Sequence, residues 1–131
     1  MSESDTFRPC RYVNLPVEEL KRYALDMLKD DEPVWFGCDV GKYFHRKSQI
    51  MDTSQYDYEL VFGTGTGAQS KEARLRYGQS LMTHAMCFTG ADVPEEGGHP
   101  TKWRVENSWG EDSGNKGFAL MTDAWFPPSA P

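Results

Sequence analysis

Two short segments of the chain carry polar side chains that could act together in acid–base chemistry. His84 lies in the run Ser80–Met86 and Asn107 in the run Trp103–Gly110, each among apolar neighbours. A histidine can act as general base when a neighbouring group orients its ring, and an asparagine oxygen can accept the imidazole N–H without adding charge. Trp109 follows closely and could shield that hydrogen bond from water. The pattern indicates a His–Asn pair of the kind that activates a cysteine thiol.

Each of these residues alone also has an ordinary structural interpretation. A single histidine on a strand is more often a core or surface residue than a catalytic one, and asparagine often ends a strand in a turn. A metal site is a further alternative, because the chain holds His45, His84 and His99 together with three cysteines. Their spacings match no ordinary zinc pattern, so we expect neither a metal nor another cofactor.

The three cysteines, Cys10, Cys38 and Cys87, form an odd set without paired spacing. Such a set argues against a disulfide framework and for a reducing compartment. Cys38 and Cys87 alternate with apolar residues on predicted strands, so we expect both to pack as small hydrophobic side chains.

Two helices and four strands are predicted to position these residues. Apolar residues recur at helical spacing over Val17–Lys29, with Pro16 suited to the first helical position. A shorter helix is predicted over Lys71–Tyr77, with Ser70 as its cap. Alternating apolar residues predict strands over Val34–Val40, Leu81–Thr89, Lys102–Asn107 and Phe118–Thr122.

Composition narrows the class of protein. The 131 residues are 38% hydrophobic and 26% charged, with a formal charge of −6, which fits one domain and neither a disordered chain nor a membrane protein. No basic stripe stands out, so nucleic acid is not an expected partner. The acidic start of the sequence is unlike a secretory signal, and no apolar run is long enough to span a bilayer. We therefore expect a cytoplasmic protein without a membrane partner.

Several long runs of the sequence resemble the C-terminal part of papain-superfamily cysteine peptidases, most closely the bleomycin hydrolase family. The runs that carry the resemblance are Glu32–Lys42, Tyr58–Gly63, Ser80–Met86, Lys102–Asp112, Lys116–Phe118 and Met121–Asp123. We therefore interpret the chain as a single partial domain, residues 1–131. It divides into a disordered leader of about residues 1–7, a His/Asn lobe over 8–126, and a tail, 127–131, unlike that of the family.

The resemblance implies both a fold and a function. The fold is α+β: the papain-like lobe that carries the catalytic histidine and asparagine, a twisted antiparallel sheet, partly barrel-like, with one packed helix. The function is that of a cytosolic thiol aminopeptidase, a homohexamer in the family, which acts on peptides from their N-terminus. His84 would be the general base, Asn107 the orienting amide and Trp109 their shield. Ala85, Cys38 and Asp39 would lie near the substrate side-chain pocket.

The sequence departs from the family in its nucleophile. In papain-like enzymes the cysteine precedes the histidine by about 130–150 residues and is followed by an aromatic residue, and no cysteine of this chain has that context. We expect the chain to be inactive alone and to need the missing N-terminal, Cys-bearing lobe as partner. Without that lobe one wall of the site would be exposed, which predicts poor solubility or oligomerisation. The alternative is a stand-alone, catalytically dead peptide-binding or regulatory domain derived from the same peptidases.

Overall fold

The described part of the chain is built on one six-stranded sheet. The computed structural model describes residues 11–63 and 71–126. The strands are β1 Val34–Cys38, β2 Phe44–His45, β3 Ile50–Met51, β4 His84–Asp92, β5 Lys102–Glu106 and β6 Phe118–Thr122. They lie side by side in the order β1-β4-β5-β6-β3-β2. Neighbouring strands are antiparallel except β3 and β6, which run parallel. The α+β class is thus confirmed, but the sheet is mixed and not antiparallel throughout as expected, because β3 and β6 run parallel.

One long helix packs on the first strands of this sheet. Helix α1, Val17–Lys29, has the predicted bounds and packs against β1 and β4 through a face that buries Ala24. Pro16 is not the first helical residue but the one before it, with an extended ψ of 144°. Its carbonyl accepts the N–H groups of Glu19 and Leu20. The remaining helices are short: a 3₁₀ turn Thr53–Gln55, α2 Tyr58–Phe62 and α3 Lys71–Arg76.

The core lies between this helix and one face of the sheet. Alternate residues of the central strands are buried, as the period-two geometry of a strand requires. They are Met86 and Phe88 of β4, Trp103 and Val105 of β5, and Ala119 and Met121 of β6. Phe88 stacks on Phe36 of β1 with a centroid distance of 3.9 Å and meets Trp103 at 5.0 Å.

Strand β4 is displaced along the chain from its predicted position. It begins at His84 rather than Leu81, because the N–H groups of Leu81 and Thr83 are used by Asp39 and by the carbonyl of Cys38. It continues to Asp92 through a bulge between Phe88 and Gly90, where the register with β5 shifts. The bulge adds a residue that simple alternation does not anticipate.

Other predictions differ at their ends or fall outside the described residues. Strands β1 and β5 stop at Cys38 and Glu106, so Asn107 lies just beyond its strand. The two-residue strands β2 and β3 are too short for periodicity to reveal. The leader 1–7, the cysteine Cys10, the cap Ser70 and the tail 127–131 lie outside the described residues. Among the helices that are described, none is long and apolar enough to cross a membrane.

Candidate active site

Two adjacent strands bring His84 and Asn107 together. His84 is the first residue of β4, and Asn107 follows the last residue of β5, Glu106, which pairs with Cys87. Since β4 and β5 are antiparallel neighbours, the start of one lies beside the end of the other. The backbone N–H of Asn107 also donates to the carbonyl of Gly117 at 3.1 Å, which ties this corner to the turn before β6.

A short hydrogen bond joins the two side chains. Nε2 of His84 lies 2.8 Å from Oδ1 of Asn107, and the backbone N–H of Ser108 donates to the same oxygen at 2.8 Å. Because Ser108 N–H can only donate, the atom facing His84 must be the amide oxygen, an acceptor. The proton of a neutral His84 therefore sits on Nε2, and the lone pair is on Nδ1. A ring held in this tautomer can take a proton at Nδ1 from a thiol.

Trp109 covers the histidine. Its ring stacks on that of His84 with a centroid distance of 5.2 Å and an interplanar angle of 29°. Trp109 as a whole is 39% exposed, so its ring contacts one side of His84 while the residue keeps a solvent-facing surface. Trp109 thus lies beside His84, and the shielding role that the sequence predicts for it stays a prediction.

A hairpin that the sequence did not reveal lies behind this tryptophan. Phe44 of β2 is buried and meets Trp109 at a centroid distance of 5.7 Å, and the guanidinium of Arg46 lies over the same ring at 5.9 Å. The apolar residues Phe44 and Met51 are the only sequence signal of this hairpin. Each of its strands has two residues, which is too short to show an alternating pattern.

Cys38 lies directly across the β1–β4 ladder from His84. The two are register partners of β1 and β4, so their side chains share a face. Burial, reinforced by the negative charge of Asp39, raises the pKa of the Cys38 thiol to about 11. The thiol is therefore protonated at neutral pH and is a poor nucleophile there.

Cys87 is no better suited to that role. It lies three residues after His84 and points to the opposite face of β4, as the pleat requires. Burial, followed by the charge of Glu106, raises the pKa of its thiol as well. Both thiols, at Cys38 and Cys87, are free, and Cys10 lies outside the described residues.

The three predicted pocket residues do not share one face of the sheet. Cys38 is on the His84 face, whereas Ala85 is exposed on the other face, opposite Gly37. Asp39 follows β1, and its carboxylate accepts the N–H of Leu81 at 3.3 Å and meets the ammonium of Lys42 at 3.5 Å. The first contact ties Asp39 to the entry of β4, and both contacts are made by the same oxygen, Oδ2.

An open depression of about 410 Å³ lies at the far end of β4. It is lined by residues that include the bulged Thr89, Gly90, Arg104 and Leu120. Arg104 fills part of it, donating to the hydroxyl and carbonyl oxygens of Thr89 at 3.1 Å each and lying over Phe118. The depression does not include His84 or Asn107.

Comparison with known proteins gives consistent matches. The family model described as "Peptidase C1-like family" matches residues 4–128. Bleomycin hydrolase of Homo sapiens is 52% identical over 120 residues, which is 91% of this chain and 26% of that protein. Aminopeptidase C of Listeria monocytogenes is 45% identical over 118 residues, 90% of this chain and 26% of that protein.

A solved structure shows the same fold. The crystal structure of PepW from Lactobacillus rhamnosis HN001 superposes with a TM-score of 0.85 at 48% sequence identity, over 92% of this chain and 26% of that one. The chain thus spans about a quarter of the length of the curated relatives and of the solved structure that it matches.

Proposed function

Because the chain belongs to the Peptidase C1-like family and corresponds to the C-terminal part of its bleomycin hydrolase and aminopeptidase C relatives, we propose that it is the His/Asn-bearing part of a cysteine aminopeptidase. The enzyme would hydrolyse peptide bonds from the N-terminus of its substrates through a Cys-His-Asn mechanism, with the cysteine supplied by the N-terminal lobe. The observation that carries the proposal is the 2.8 Å contact between His84 Nε2 and Asn107 Oδ1.

In this mechanism His84 moves protons and Asn107 keeps the ring in place. Nδ1 of His84 takes the thiol proton, and the thiolate attacks the carbonyl carbon of the substrate to form a tetrahedral adduct. The imidazolium returns the proton to the leaving amine as the peptide bond breaks, which leaves a thioester. A water molecule, deprotonated by the same Nδ1, then hydrolyses the thioester and restores the thiol. Asn107 accepts the Nε2–H throughout, so the ring stays oriented while its charge changes.

Exposed apolar side chains support the requirement for a partner lobe. Leu81 and Met82, directly before β4, are 62% and 82% exposed, and Trp35 on the neighbouring strand β1 is 77% exposed. Met82 lies against the backbone of Gly37, which has no side chain to displace it. Trp35 pairs with Cys87, so it lies on the face of the sheet opposite His84. Exposed apolar side chains of this size are typical of a protein interface, and we assign them to contacts with the rest of the complete peptidase.

Two further properties belong to the same proposal. The complete enzyme would be a homo-oligomer, a hexamer as the family resemblance implies. It would work in the cytoplasm, where unpaired thiols such as those of Cys38 and Cys87 stay reduced.

A catalytically inactive peptide-binding or regulatory domain is the second candidate. Cys38 favours this second candidate, because it faces His84 across the β1–β4 ladder but has a pKa of about 11. Its thiol is therefore protonated at neutral pH and cannot serve as a nucleophile within this chain. In that case the exposed apolar surface would bind a peptide or a full-length relative, and no hydrolysis would follow.

The mass of the native polypeptide separates the two candidates. An antibody against the segment Arg104–Gly110 would be used to isolate the native product, whose mass and hydrolysis of aminoacyl amides are then measured. We expect a product several times heavier than 14.9 kDa, with an alkylation-sensitive aminopeptidase activity. A native product near 14.9 kDa without activity would overturn the peptidase proposal and favour the inactive domain.

A further inference from the structure

The hairpin β2–β3 is held rigidly although each strand has only two residues. Phe44 pairs with Met51, and β3 adds in parallel to β6 through Ile50 and Met51. Phe44 and Met51 are both buried in the core. The hairpin therefore has a fixed position relative to β6, and through β6 relative to β5 and Asn107.

The turn of this hairpin is fixed by a buried glutamine. Gln49 is 5% exposed and has a positive φ of 54°. Its side-chain amide donates to the carbonyl of Arg46 at 2.7 Å, and its own carbonyl accepts the N–H of Leu120 at 3.0 Å. The backbone of Arg46 is thus anchored to β6 while its side chain remains exposed.

The anchored turn presents its cation to the tryptophan of the active site. The Arg46 guanidinium lies 5.9 Å from the centre of the Trp109 ring, within the range of a cation–π contact. Trp109 in turn stacks on His84 at 5.2 Å. Side chains of the hairpin, Trp109 and His84 therefore form one contiguous series that ends at the His84–Asn107 hydrogen bond.

We propose that Arg46 is a positioning residue, which holds Trp109 over His84 and so limits the access of water to the His84–Asn107 hydrogen bond. This role of Arg46 in catalysis rests on the peptidase function proposed above. The contact itself is a property of this chain that can be measured without hydrolysis. A planar guanidinium suits this task, because it can lie flat on an indole while its edges stay hydrated.

Hydrogen exchange of the His84 ring tests the proposal. The chain is labelled with ¹⁵N in histidine and tryptophan, and exchange of the His84 Nε2–H with water is measured by NMR, with His84→Gln used to assign the signal. We expect Arg46→Ala to speed this exchange about two- to fivefold, the effect of losing an exposed cation–π contact. Arg46→Lys should give an intermediate rate, because a lysine restores the charge but not the planar stacking.

Two internal controls separate positioning from a general loss of stability. Lys47→Ala removes the neighbouring exposed cation and should leave the rate unchanged. The indole N–H of the buried Trp103, which donates to Asp123, reports opening of the core and should also be unchanged. The proposal would be overturned if His84 Nε2–H exchanged at the same rate in Arg46→Ala as in the parent chain. It would also be overturned if Arg46→Ala sped up exchange of the Trp103 indole N–H to the same extent. A His84 ring proton that is not protected from exchange in the parent chain would overturn it as well. If the chain proved not to be part of an active peptidase, the hydrogen-exchange rates expected for these variants would not change.

Discussion

The side-chain oxygen of Asn107 accepts two hydrogen bonds at 2.8 Å, one from Nε2 of His84 and one from the backbone N–H of Ser108. The second bond fixes which end of the amide faces the histidine, and so fixes the tautomer of the ring. The asparagine amide nitrogen is buried without a hydrogen-bond partner among the described residues. Among the described residues, the hydrogen bonds of this amide group are therefore all made by its oxygen.

Loss of this acceptor should slow hydrolysis without abolishing it. Hydrogen bonds to charged groups contribute about 1.5–3 kcal/mol, so Asn107→Ala in the assembled peptidase should lower kcat/KM about 10- to 100-fold. The exposed Asn115, in the turn before β6, gives the matched control Asn115→Ala, which should retain full activity. Loss as complete as that of a His84 variant would contradict an orienting role.

Titration of Cys38 should make stability fall in alkaline solution. Its pKa is about 11 in the folded chain against 9.0 for an ordinary thiol, so the folded state holds the proton more tightly than the unfolded state. The protonated thiol therefore contributes to the free energy of unfolding. This contribution is complete below about pH 9 and is lost as the pH rises to about 11. Chemical denaturation of the parent chain and of Cys38→Ala at pH 8 and pH 11 measures it. The stability advantage of the parent should shrink at pH 11, and a constant difference would refute the shift.

A second stability prediction concerns the turn before β6. Gly114 has a φ of 63°, and an added Cβ would overlap the carbonyl oxygen of Phe118 and lie 2.8 Å from the side chain of Gln49. Gly97 has a similar φ of 75° but open space around it, so Gly97→Ala isolates the backbone strain. We expect Gly114→Ala to cost about 1–3 kcal/mol more than Gly97→Ala in the free energy of unfolding. Equal losses would show that the space around Gly114 is not constrained.

The carboxylate of Asp123 should stabilise the packing of α1 on the sheet. It accepts the ammonium of Lys21 at 2.7 Å and the indole N–H of the buried Trp103 at 3.1 Å. Asp123→Ala removes both acceptors and should lower the free energy of unfolding by about 1.5–3 kcal/mol. The exposed pair Lys29–Asp26 provides the control, and Asp26→Ala should change stability by about 0.5 kcal/mol or less. Similar losses of stability in Asp123→Ala and Asp26→Ala would contradict a role of Asp123 in the packing of α1 on the sheet.

Elements with long, regular patterns could be predicted from the sequence. Helix Val17–Lys29 and strand Phe118–Thr122 have the predicted bounds, because an apolar stripe and a strict alternation are local signals. Asn107 lies at the end of a strand predicted from alternation, whereas the predicted strand Leu81–Thr89 placed His84 in its interior. The pairing of the two residues was expected from the chemistry of a histidine and an asparagine, and their catalytic roles, implied by the family resemblance, stay predictions.

The remaining features depend on contacts between distant parts of the chain. The β2–β3 hairpin forms because β3 pairs with β6, some 70 residues later in sequence, and a two-residue strand carries no period. The start of β4 is set by Asp39 and Cys38 of another strand. The place of Arg46 over Trp109 follows from that hairpin, so no local signal could have identified it.

Hydrolysis by an assembled enzyme tests the central claim most directly. Residues 11–126 of this chain would replace the matching segment of human bleomycin hydrolase, and cleavage of an aminoacyl anilide would be measured for the parent chimera, for His84→Ala and for the exposed control His99→Ala. We predict that His84→Ala reduces hydrolysis by at least about 100-fold, because no base remains to activate the thiol, whereas His99→Ala retains the parent rate. A His84→Ala chimera as active as its parent would contradict the assignment of His84 as the general base.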